Sequence, residues 1–440
     1  MHRAAPFTTS CEGKAVSGSK GRLIVSGRWD DTVAIVDIET ALRPENDGTS
    51  NAIISRPRVT PDLDLDGDGA PDARASGQPV AVAVDAAGRF AYVVCHSGNA
   101  SPAAAGAYQH GHPGLVTVLD VAAAIDPAHD DTLGAVVDFI ATGRTGPVGC
   151  ALTPDGAKLL VNCGEDTGSE DGGDEVTVID IATRRVSARV PLALNLDYPA
   201  TGPSRHDSPH ESFGRYPNPT GLVISPLGGG VAFVGNGGFS DVSVLRLNAA
   251  VAGAAAAEIN RVEVETGPFG MALSPDGALV AVASRESMSR PFEGGTVSLI
   301  DVERAAAGQD DAEVARVPVG ATEDTDRSRP FGVSFSQDGA LLVASCFRTN
   351  VISVLDVEAA LAGRPSERHR LTPEAPSGGP ARPRGLVTCG GYACVIGGAK
   401  AGPGSSCVWL IDPESGQVAG TVSGVGNESY FLAAIPASTE

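Results

Sequence analysis

The sequence predicts an all-β protein, and three observations carry that prediction. Short apolar runs rich in Val, Leu and Ala are bounded by Gly, Pro and Asp, a pattern typical of strands joined by tight turns. Glycine (55 residues) and proline (31 residues) are abundant in the 440-residue chain, whereas no long segment has helical periodicity. The strand pattern also recurs along the chain, and an internal repeat is a stronger guide to architecture than length.

The repeat is clearest between Gly146 and Asp180. An apolar run after Pro-x-Gly, a Pro-Asp-Gly turn and two further runs predict three antiparallel strands there. At the N terminus, Arg22–Ile38 supplies a second and a third strand without a first, and Tyr430–Ile435 at the C terminus supplies the missing first strand. The repeat therefore occurs seven times, and its other five starting points are Gln78, Asn218, Gly267, Arg329 and Arg382.

A single small sheet cannot bury both faces, so the repeats must stack, and a ring leaves no exposed ends. The sequence thus predicts a seven-bladed β-propeller of four-stranded antiparallel blades over residues 21–435, closed by the C-terminal strand joining the N-terminal blade. Residues 1–20 and 436–440 are predicted to be tails. Aspartates at the ends of third strands are predicted to cap short helical turns: Asp37, Asp120, Asp180, Asp301 and Asp356.

The pattern P-x-G-x-A-x-(S/T)-P-D-G-x-x-(L/V)-x-V, followed by V-x-V-I-D, resembles the YVTN β-propeller repeat family and, through it, lactonase-like seven-bladed propellers. The resemblance covers about residues 20–435 and implies the propeller fold. Members of the family are mostly extracytoplasmic and include binding proteins, surface proteins and enzymes. The resemblance therefore implies a periplasmic or extracellular location, while the segment MHRAAPFTTSCEGK lacks the apolar core of a signal peptide, as expected for a cytoplasmic protein or a mature form.

Charge and cysteine content limit the partners. A net charge of −21 argues against nucleic acid and anionic lipid, and no apolar run approaches the roughly 20 residues needed to span a bilayer. We expect a monomer that binds a small molecule.

The eight cysteines allow one or two disulfides, and Cys389 and Cys394, which flank a four-residue turn, are the candidate pair.

Insertions fall on one side of the predicted ring. In a four-stranded blade, the loops between the second and third strands and the linkers between blades share one face, here called the top face. The Pro-Asp-Gly hairpins lie on the opposite, bottom face. We therefore predict that function resides at the top-face mouth of the central channel. The long top-face insertions span residues 95–114, 163–175, 194–218 and 284–295.

One blade linker carries a predicted calcium loop. In residues 62–73, acidic residues alternate with glycines, as in the ligand pattern of a Ca²⁺-binding loop, although Ala75 stands where an EF-hand has its bidentate Glu. The alternative is a solvated acidic turn. We predict a structural calcium site because clustered carboxylates repel each other without a cation. Its predicted ligands are Asp62, Asp64, Asp66, Asp68, Asp72 and the carbonyl of Ala70.

Five of the eight histidines fall in two top-face insertions. If they converge, they could hold Zn²⁺ or a copper ion with Asp207, Glu211 or Cys95 as further ligands, or act in acid–base catalysis. The alternative is that they form hydrogen bonds within ordered loops. The predicted catalytic histidines are His96, His110 and His112 in one insertion and His206 and His210 in the other.

Arginines concentrate on the top face despite the acidic composition. The residue between Pro and Gly in each inner strand should face the channel, and these residues are Val148, Thr220, Phe269, Phe331 and Arg384. An apolar mouth ringed by arginine suits a small anionic ligand such as a carboxylate. The alternative is pairing with Glu286, Glu293, Asp324 and Asp326. The predicted ligand-binding set is Arg28, Arg215, Arg285, Arg329, Arg348, Arg384, Phe269 and Phe331, with Arg382 and Lys400 nearby.

Two classes of function follow from these features. The chain is either a binding propeller that holds a small ligand or partner, or an enzyme that performs a lactonase-like hydrolysis, a lyase step or a metal-dependent oxidation. The repeat pattern supports both. The concentration of His, Cys and Arg on one face favours an active pocket.

Overall fold

The computed structural model describes residues 20–98, 113–164, 173–196, 215–286 and 293–436. These residues form seven four-stranded antiparallel sheets, which confirms the predicted seven-bladed propeller. In blade 1 the sheet order is the C-terminal strand, then β1, β2 and β3, whereas in the other blades the four strands are consecutive in the chain.

The first four blades occupy residues 22–263, with a small two-stranded ribbon between blades 1 and 2. Their strands are β1 (Arg22–Gly27), β2 (Thr32–Asp37) and β3 (Ile53–Ser55); the ribbon β4 (Asp62–Leu63) and β5 (Ala73–Arg74); β6 (Pro79–Val84), β7 (Phe90–Cys95), β8 (Pro113–Asp120) and β9 (Val136–Thr145); β10 (Pro147–Leu152), β11 (Lys158–Cys163), β12 (Glu175–Asp180) and β13 (Arg185–Pro191); and β14 (Pro219–Ser225), β15 (Val231–Asn236), β16 (Asp241–Arg246) and β17 (Glu258–Glu263).

The remaining blades continue the same order and end with the strand that completes blade 1. Their strands are β18 (Pro268–Leu273), β19 (Leu279–Ser284), β20 (Thr296–Asp301) and β21 (Glu313–Pro318); β22 (Pro330–Phe335), β23 (Leu341–Cys346), β24 (Val351–Asp356) and β25 (Glu367–Leu371); β26 (Leu386–Cys389), β27 (Tyr392–Gly397), β28 (Ser406–Asp412) and β29 (Gln417–Gly426); and β30 (Leu432–Ile435).

The ring closes as predicted. Strand β30 pairs antiparallel with β1, from Arg22 opposite Ile435 to Val25 opposite Leu432. Leu432 and Ile435 are buried, so the last strand contributes apolar side chains as well as backbone hydrogen bonds. The two ends of the chain are thereby joined in one sheet.

The core of the described residues is divided into seven apolar clusters, one at each interface between neighbouring blades. Between blades 1 and 7, for example, Leu23 and Val36 pack with Ile396 and Leu410. Because each blade buries both faces against its neighbours, no blade would be stable as an isolated sheet.

The glycine of the Pro-x-Gly motif has a packing role. Neighbouring inner strands approach so closely that a Cβ built on Gly270 would lie 2.3 Å from the carbonyl oxygen of Phe331 in the next blade. Gly221 is equally close to the carbonyl of Phe269, and Gly385 to that of Tyr430. The repeat therefore retains glycine where backbones of adjacent blades meet near the channel mouth.

Within the described residues, five short helices follow third strands and lie on the bottom face. Asp37, Asp120, Asp301 and Asp356 each accept a hydrogen bond from a backbone N–H at the start of the following helix, as predicted, and Asp180 caps a turn in the same way. In the described part of the chain no helix is long and apolar enough to cross a membrane. The helices are α1 (Ile38–Ala41), α2 (Val121–Ile125), α3 (Leu247–Val251), α4 (Val302–Ala306) and α5 (Val357–Leu361), with 3₁₀ turns at Pro44–Asn46 and Pro127–His129.

The hairpin of blade 7 differs from the prediction. Its turn contains two residues, so Cys389 pairs with Tyr392, and Cys394 pairs with Val387. The two cysteines therefore do not lie opposite one another in the hairpin, and the expectation of a disulfide between them is wrong. A Gly-Gly pair forms a tight two-residue turn readily, which shifts the register by one position on each strand.

Candidate binding site at the channel mouth

Seven residues, one from each blade, enter the inner strands with positive φ angles between 43° and 63°. Only glycine adopts such angles without strain, and strained positions tend to be retained at functional sites. Four of the seven positions carry long polar side chains, and they belong to blades 6, 7, 1 and 2, which are consecutive around the ring. These are Arg329, Arg382, Glu428 and Gln78; the other three are Gly146, Asn218 and Gly267.

An aromatic layer lies beneath these positions. Phe331 is fully buried, and its ring centroid is 4.8 Å from that of Phe269, 5.3 Å from Tyr430, 5.7 Å from Phe431 and 6.2 Å from Phe347. Phe269, Phe331 and Tyr430 occupy the same position of the Pro-x-Gly repeat in blades 5, 6 and 1. Three inner strands therefore direct aromatic rings into one place at the top of the channel.

Arginine side chains stack on this layer. The guanidinium carbon of Arg285 lies 4.7 Å from the ring centroid of Phe269 and 4.9 Å from that of Phe331. That of Arg384 lies 5.3 Å from Phe347 and 5.8 Å from the ring of Tyr430. These distances are those of cation–π contacts.

The stack continues around the mouth. The guanidinium carbon of Arg28 is 4.6 Å from the ring centroid of Tyr430 and 5.2 Å from that of Trp29, and the ammonium of Lys400 is 3.6 Å from the same Trp29 ring. We call the whole assembly the mouth cluster. Its members are Arg28, Arg285, Arg329, Arg382, Arg384 and Lys400 and the aromatic residues Trp29, Phe269, Phe331, Phe347, Tyr430 and Phe431.

Three glutamates partly neutralise the mouth cluster. Glu428 accepts a 2.5 Å hydrogen bond from the indole N–H of Trp29 and lies 3.9 Å from Arg28. Glu286 pairs with Arg285 at 2.9 Å and also with Arg329. The third, Glu293, pairs with Arg329 and Arg348, so the predicted alternative of internal ion pairs holds for part of the set. Asp326 instead pairs with Arg327 at 3.5 Å.

Arg384 differs from its neighbours because it is almost completely inaccessible, with 1% of its surface exposed. Its Nη1 donates a 2.6 Å hydrogen bond to the carbonyl of Gly398. Its Nη2 is buried and makes no hydrogen bond to any described residue, although Glu428 Oε1 lies 3.6 Å away. Burial lowers the pKa of this guanidinium because the charged form loses its hydration. A buried cation with an unsatisfied donor favours a place for an anion beside it.

The remaining predicted arginines are Arg348 and Arg215. The side chain of Arg348 is half exposed and pairs with Glu293. Arg215 lies in the linker between blades 3 and 4, where its carbonyl accepts a hydrogen bond from Asn195 N at 2.9 Å. Sequence reasoning missed four aromatic members of the cluster. A signal was present for Tyr430, which aligns with Phe269 and Phe331 in the repeat; the others were Trp29, Phe347 and Phe431.

The predicted histidine site lies mostly outside the described residues, which include His96 but not His110, His112, His206 or His210. His96 is buried; its backbone N donates to the carbonyl of Gln78, and its Nδ1 lies 3.4 Å from Ser97 Oγ. Burial raises the pKa of the neighbouring Cys95 thiol far above its usual range, which opposes thiolate ligation of a metal.

The predicted calcium loop is closed by the β4–β5 ribbon. The carboxylates of Asp64, Asp66 and Asp72 lie within 4.8 Å of one another and are exposed. Asp68 accepts a hydrogen bond from the N–H of Ala70. Asp62 departs from the predicted ligand set, because it forms a 2.5 Å ion pair with Arg58. The structure thus groups three of the predicted carboxylates.

A half-buried carboxyl supports one edge of the mouth cluster. Asp31 Oδ1 accepts hydrogen bonds from the backbone N–H groups of Gly77 at 2.8 Å and Gln78 at 3.2 Å. Gln78 in turn accepts a hydrogen bond from Nε of Arg28 at 3.2 Å. Burial raises the pKa of Asp31 from 3.8 to about 6, with a smaller contribution from the charge of Asp30.

We expect Asp31→Asn to stabilise the protein at high pH. A carboxyl whose pKa is higher in the folded state binds more protons when the protein is folded. Its ionisation therefore costs no stability below the ordinary pKa of 3.8, an increasing amount between pH 3.8 and about 6, and the full amount at higher pH. The amide oxygen can keep both backbone hydrogen bonds. Urea unfolding should show a gain of up to about 3 kcal/mol at pH 8 that disappears near pH 4.

The exposed Asp310 offers a matched control for that measurement. Asp310→Asn removes the same charge from a solvated site and should show no gain that depends on pH. A stability difference for Asp31→Asn that is equal at pH 4 and pH 8 would contradict the prediction.

Two cavities in the channel follow the inner strands from the aromatic layer toward the hairpins. The first has a volume of about 170 Å³ and is lined in part by Phe269 and Phe431. The second, of about 310 Å³, reaches the hairpin residues Pro275 and Gln337. Both are lined by Leu222 and Met271, so they are adjacent segments of one channel.

Comparison with known proteins supports the fold. No protein-family model and no curated protein matches the chain, so the resemblance to YVTN repeats stays a prediction. The periplasmic gluconolactonase PpgL of Pseudomonas aeruginosa superposes with a TM-score of 0.61 over 94% of this chain and 99% of that chain, at 17% identity. A protein provisionally assigned as a 6-phosphogluconolactonase, from Bacteroides fragilis, gives a TM-score of 0.62 over 96% and 99%, at 14% identity.

A third similar structure is the hydrazine synthase of Kuenenia stuttgartiensis, with a TM-score of 0.54 over 89% of this chain and 92% of that chain, at 17% identity. At such identities the likeness is one of fold. The chain is therefore similar in architecture to lactonase-like seven-bladed propellers, and the same architecture occurs in proteins with unrelated names.

Proposed function

We propose that the mouth cluster binds a small anionic molecule, most simply a carboxylate. The observation that carries this proposal is Arg384, a buried guanidinium whose Nη2 makes no hydrogen bond to a described residue. A carboxylate can accept two parallel hydrogen bonds from one guanidinium. Such a ligand would therefore supply the hydrogen bond that Arg384 Nη2 lacks.

The surrounding residues favour the same ligand. Arg28 stacks on Tyr430, which Arg384 also contacts, and Arg285 stacks on Phe269, so both add positive charge to the same aromatic layer. Aromatic walls exclude water, so an ion pair formed there is stronger than one on the open surface. Glu428 limits the net charge on one side of the mouth and holds Trp29 in place.

The test is the affinity for a carboxylate probe in solution. We expect Arg384→Met to weaken benzoate binding by about 10- to 100-fold in calorimetry, because a hydrogen bond to a charged group contributes about 1.5–3 kcal/mol. The variant also leaves Glu428 and the carbonyl of Gly398 without the arginine, and removal of one partner of a buried ion pair is destabilising, so we expect a lower melting temperature. A lower affinity measured well below that melting temperature, in a variant that still melts cooperatively, would show a role in binding.

Arg304→Met is the matched control, because Arg304 is an exposed arginine on α4 at the bottom face. It removes the same charge and should leave benzoate affinity unchanged. Equal weakening in both variants would mean that only net charge matters, and unchanged affinity in Arg384→Met would exclude the proposed site.

Hydrolysis of a lactone is a second candidate, favoured by the two lactonase-named structures of similar fold. The opening of a lactone produces a carboxylate, which the mouth cluster would bind as product. Proton release from gluconolactone, followed with the wild type and with Arg384→Met, separates the two roles. Release no faster than in buffer would leave binding as the function.

The likeness to a periplasmic protein also supports the proposed periplasmic or extracellular location.

We also propose that the loop of Asp64, Asp66 and Asp72 binds calcium and stiffens the linker between blades 1 and 2. Three exposed carboxylates within 4.8 Å of one another repel unless a cation lies between them. Calorimetry should detect Ca²⁺ binding with a dissociation constant of about 0.1–1 mM, as in extracellular modules. Asp64→Asn combined with Asp66→Asn should abolish it.

The control for the calcium measurement is another adjacent pair of exposed acids. Asp310→Asn combined with Asp311→Asn removes the same charge elsewhere and should leave Ca²⁺ binding unchanged. Absence of a binding heat in the wild type, or retention of it in the Asp64/Asp66 variant, would exclude the loop as a calcium site.

A further inference from the structure

The mouth cluster stands directly above an apolar cavity, and the two share side chains. Phe269 lies under the guanidinium of Arg285 at 4.7 Å and also lines the cavity of about 170 Å³. Phe431 stacks on Phe269 with ring centroids 5.9 Å apart and lines the same cavity. The arginines and the apolar space are therefore adjacent, because they contact the same aromatic rings.

Every side chain that lines the upper cavity is apolar, whereas the lower cavity is also lined by Ser274, Ser334, Ser336, Gln337 and Thr388. No charged side chain is among the described residues that line either channel cavity. Cys150, one of the lining residues, is a neutral thiol because burial raises its pKa to about 12. The other walls of the upper cavity include Ala81, Val82, Val148, Leu222, Met271 and Val333.

The size of the cavity indicates what it can hold. A dry apolar cavity of about 150 Å³ is large enough to bind benzene. The upper cavity, at about 170 Å³, can thus hold one benzene-sized ring, and the adjoining space of about 310 Å³ leaves room for a longer chain. In the upper cavity a polyhydroxylated ligand would lose hydrogen bonds to water that no lining side chain can replace, which is unfavourable.

From this arrangement we propose that the ligand is a carboxylate with an apolar tail, held with its charge at the arginines and its tail in the channel. The inference rests on the proposed function, that the mouth binds an anion, and it adds the class of ligand. The arginine layer identifies the head group, and the uncharged channel beneath it identifies the tail. A sugar acid carries the required negative charge, but its hydroxylated chain does not suit an apolar cavity.

The experiment compares four probes by calorimetry: acetate, gluconate, benzoate and octanoate. We expect benzoate or octanoate to bind at least 10-fold more tightly than acetate and gluconate, and the stronger of the two shows whether the tail is a ring or a chain. Val148→Phe tests the position of the tail, because Val148 lines the upper cavity and phenylalanine already occupies the equivalent position at Phe269. It should reduce the preference for the tailed probes to less than 3-fold.

Val418→Phe is the control, since Val418 is exposed on β29 and should leave all four affinities unchanged. If Val148→Phe fails to melt cooperatively, Val148→Leu fills the cavity less and should reduce the preference in part. Gluconate binding as tightly as the tailed probes, with loss in Arg384→Met, would overturn this inference and leave the proposed function standing. If none of the four probes binds, both proposals fail.

Discussion

A chain that ends at Asn427 is expected to lose cooperative folding, because it lacks β30. That strand pairs with β1 along four residue pairs, from Arg22–Ile435 to Val25–Leu432. It also supplies side chains to two interfaces: Leu432 packs between blades 1 and 7, and Ile435 between blades 1 and 2. Without β30, blade 1 loses its inner strand, and the ring has an open edge beside the channel.

The measurement is thermal unfolding by circular dichroism together with size-exclusion chromatography. We expect the shortened chain to aggregate or to melt without a cooperative transition. A chain that ends at Pro436 is the control, since it retains β30 and lacks only residues 437–440. It should melt as the full chain does. A cooperative transition within a few degrees of the full chain for the shorter protein would show that ring closure is not essential.

Gly270→Ala is expected to destabilise the protein by about 2–4 kcal/mol, the range for overpacking a rigid interior. The added methyl would lie 2.3 Å from the carbonyl oxygen of Phe331 and 2.7 Å from the Cα of Gly332. Both are backbone atoms of the next inner strand, so neither can turn aside as a flexible side chain would. The strand of blade 6 must shift, and Phe331 moves with it.

Urea unfolding measures this effect, and blade 2 supplies the control. Ala81 occupies the position in blade 2 that Gly270 occupies in blade 5. The interface between blades 2 and 3 therefore accepts a methyl group at this position. Ala81→Gly should cost only about 1 kcal/mol, from the lost methyl and the added backbone freedom. We also expect Gly270→Ala to weaken carboxylate binding, because Arg285 stacks on Phe331. An effect of Gly270→Ala below that of Ala81→Gly would contradict the packing argument.

The features that could be predicted from the sequence are those that recur in every repeat. Strand positions, the ring closure and the capping aspartates could all be predicted, because each depends on short-range patterns that recur from blade to blade. The position between Pro and Gly pointed to Phe269, Phe331 and Arg384, and the structure places these three residues in the mouth cluster. Tyr430 occupies the same position of the repeat, but it is not flanked by Pro and Gly, so its alignment with Phe269 and Phe331 was not recognised.

Contacts between blades could not be predicted in this way. Phe347 contacts arginines from blades 5, 6 and 7, and nothing in its own segment, Cys-Phe-Arg-Thr-Asn, indicates that role. The disulfide expectation failed for a related reason. The spacing of Cys389 and Cys394 fits a four-residue turn, but a Gly-Gly turn sets the register and offsets the two side chains.

The amino-acid sequence by itself determined the architecture: seven copies of one strand pattern, with a first strand missing at one end and present at the other, allow a closed ring and little else. It also determined which face carries the insertions, because loop position follows from strand order. Only the tertiary structure decided which arginines act together. Arg28, Arg285 and Arg384 are far apart in the chain, and the curvature of the ring brings them onto one aromatic layer. Burial, which depends on all of their neighbours at once, then distinguishes Arg384 from the others.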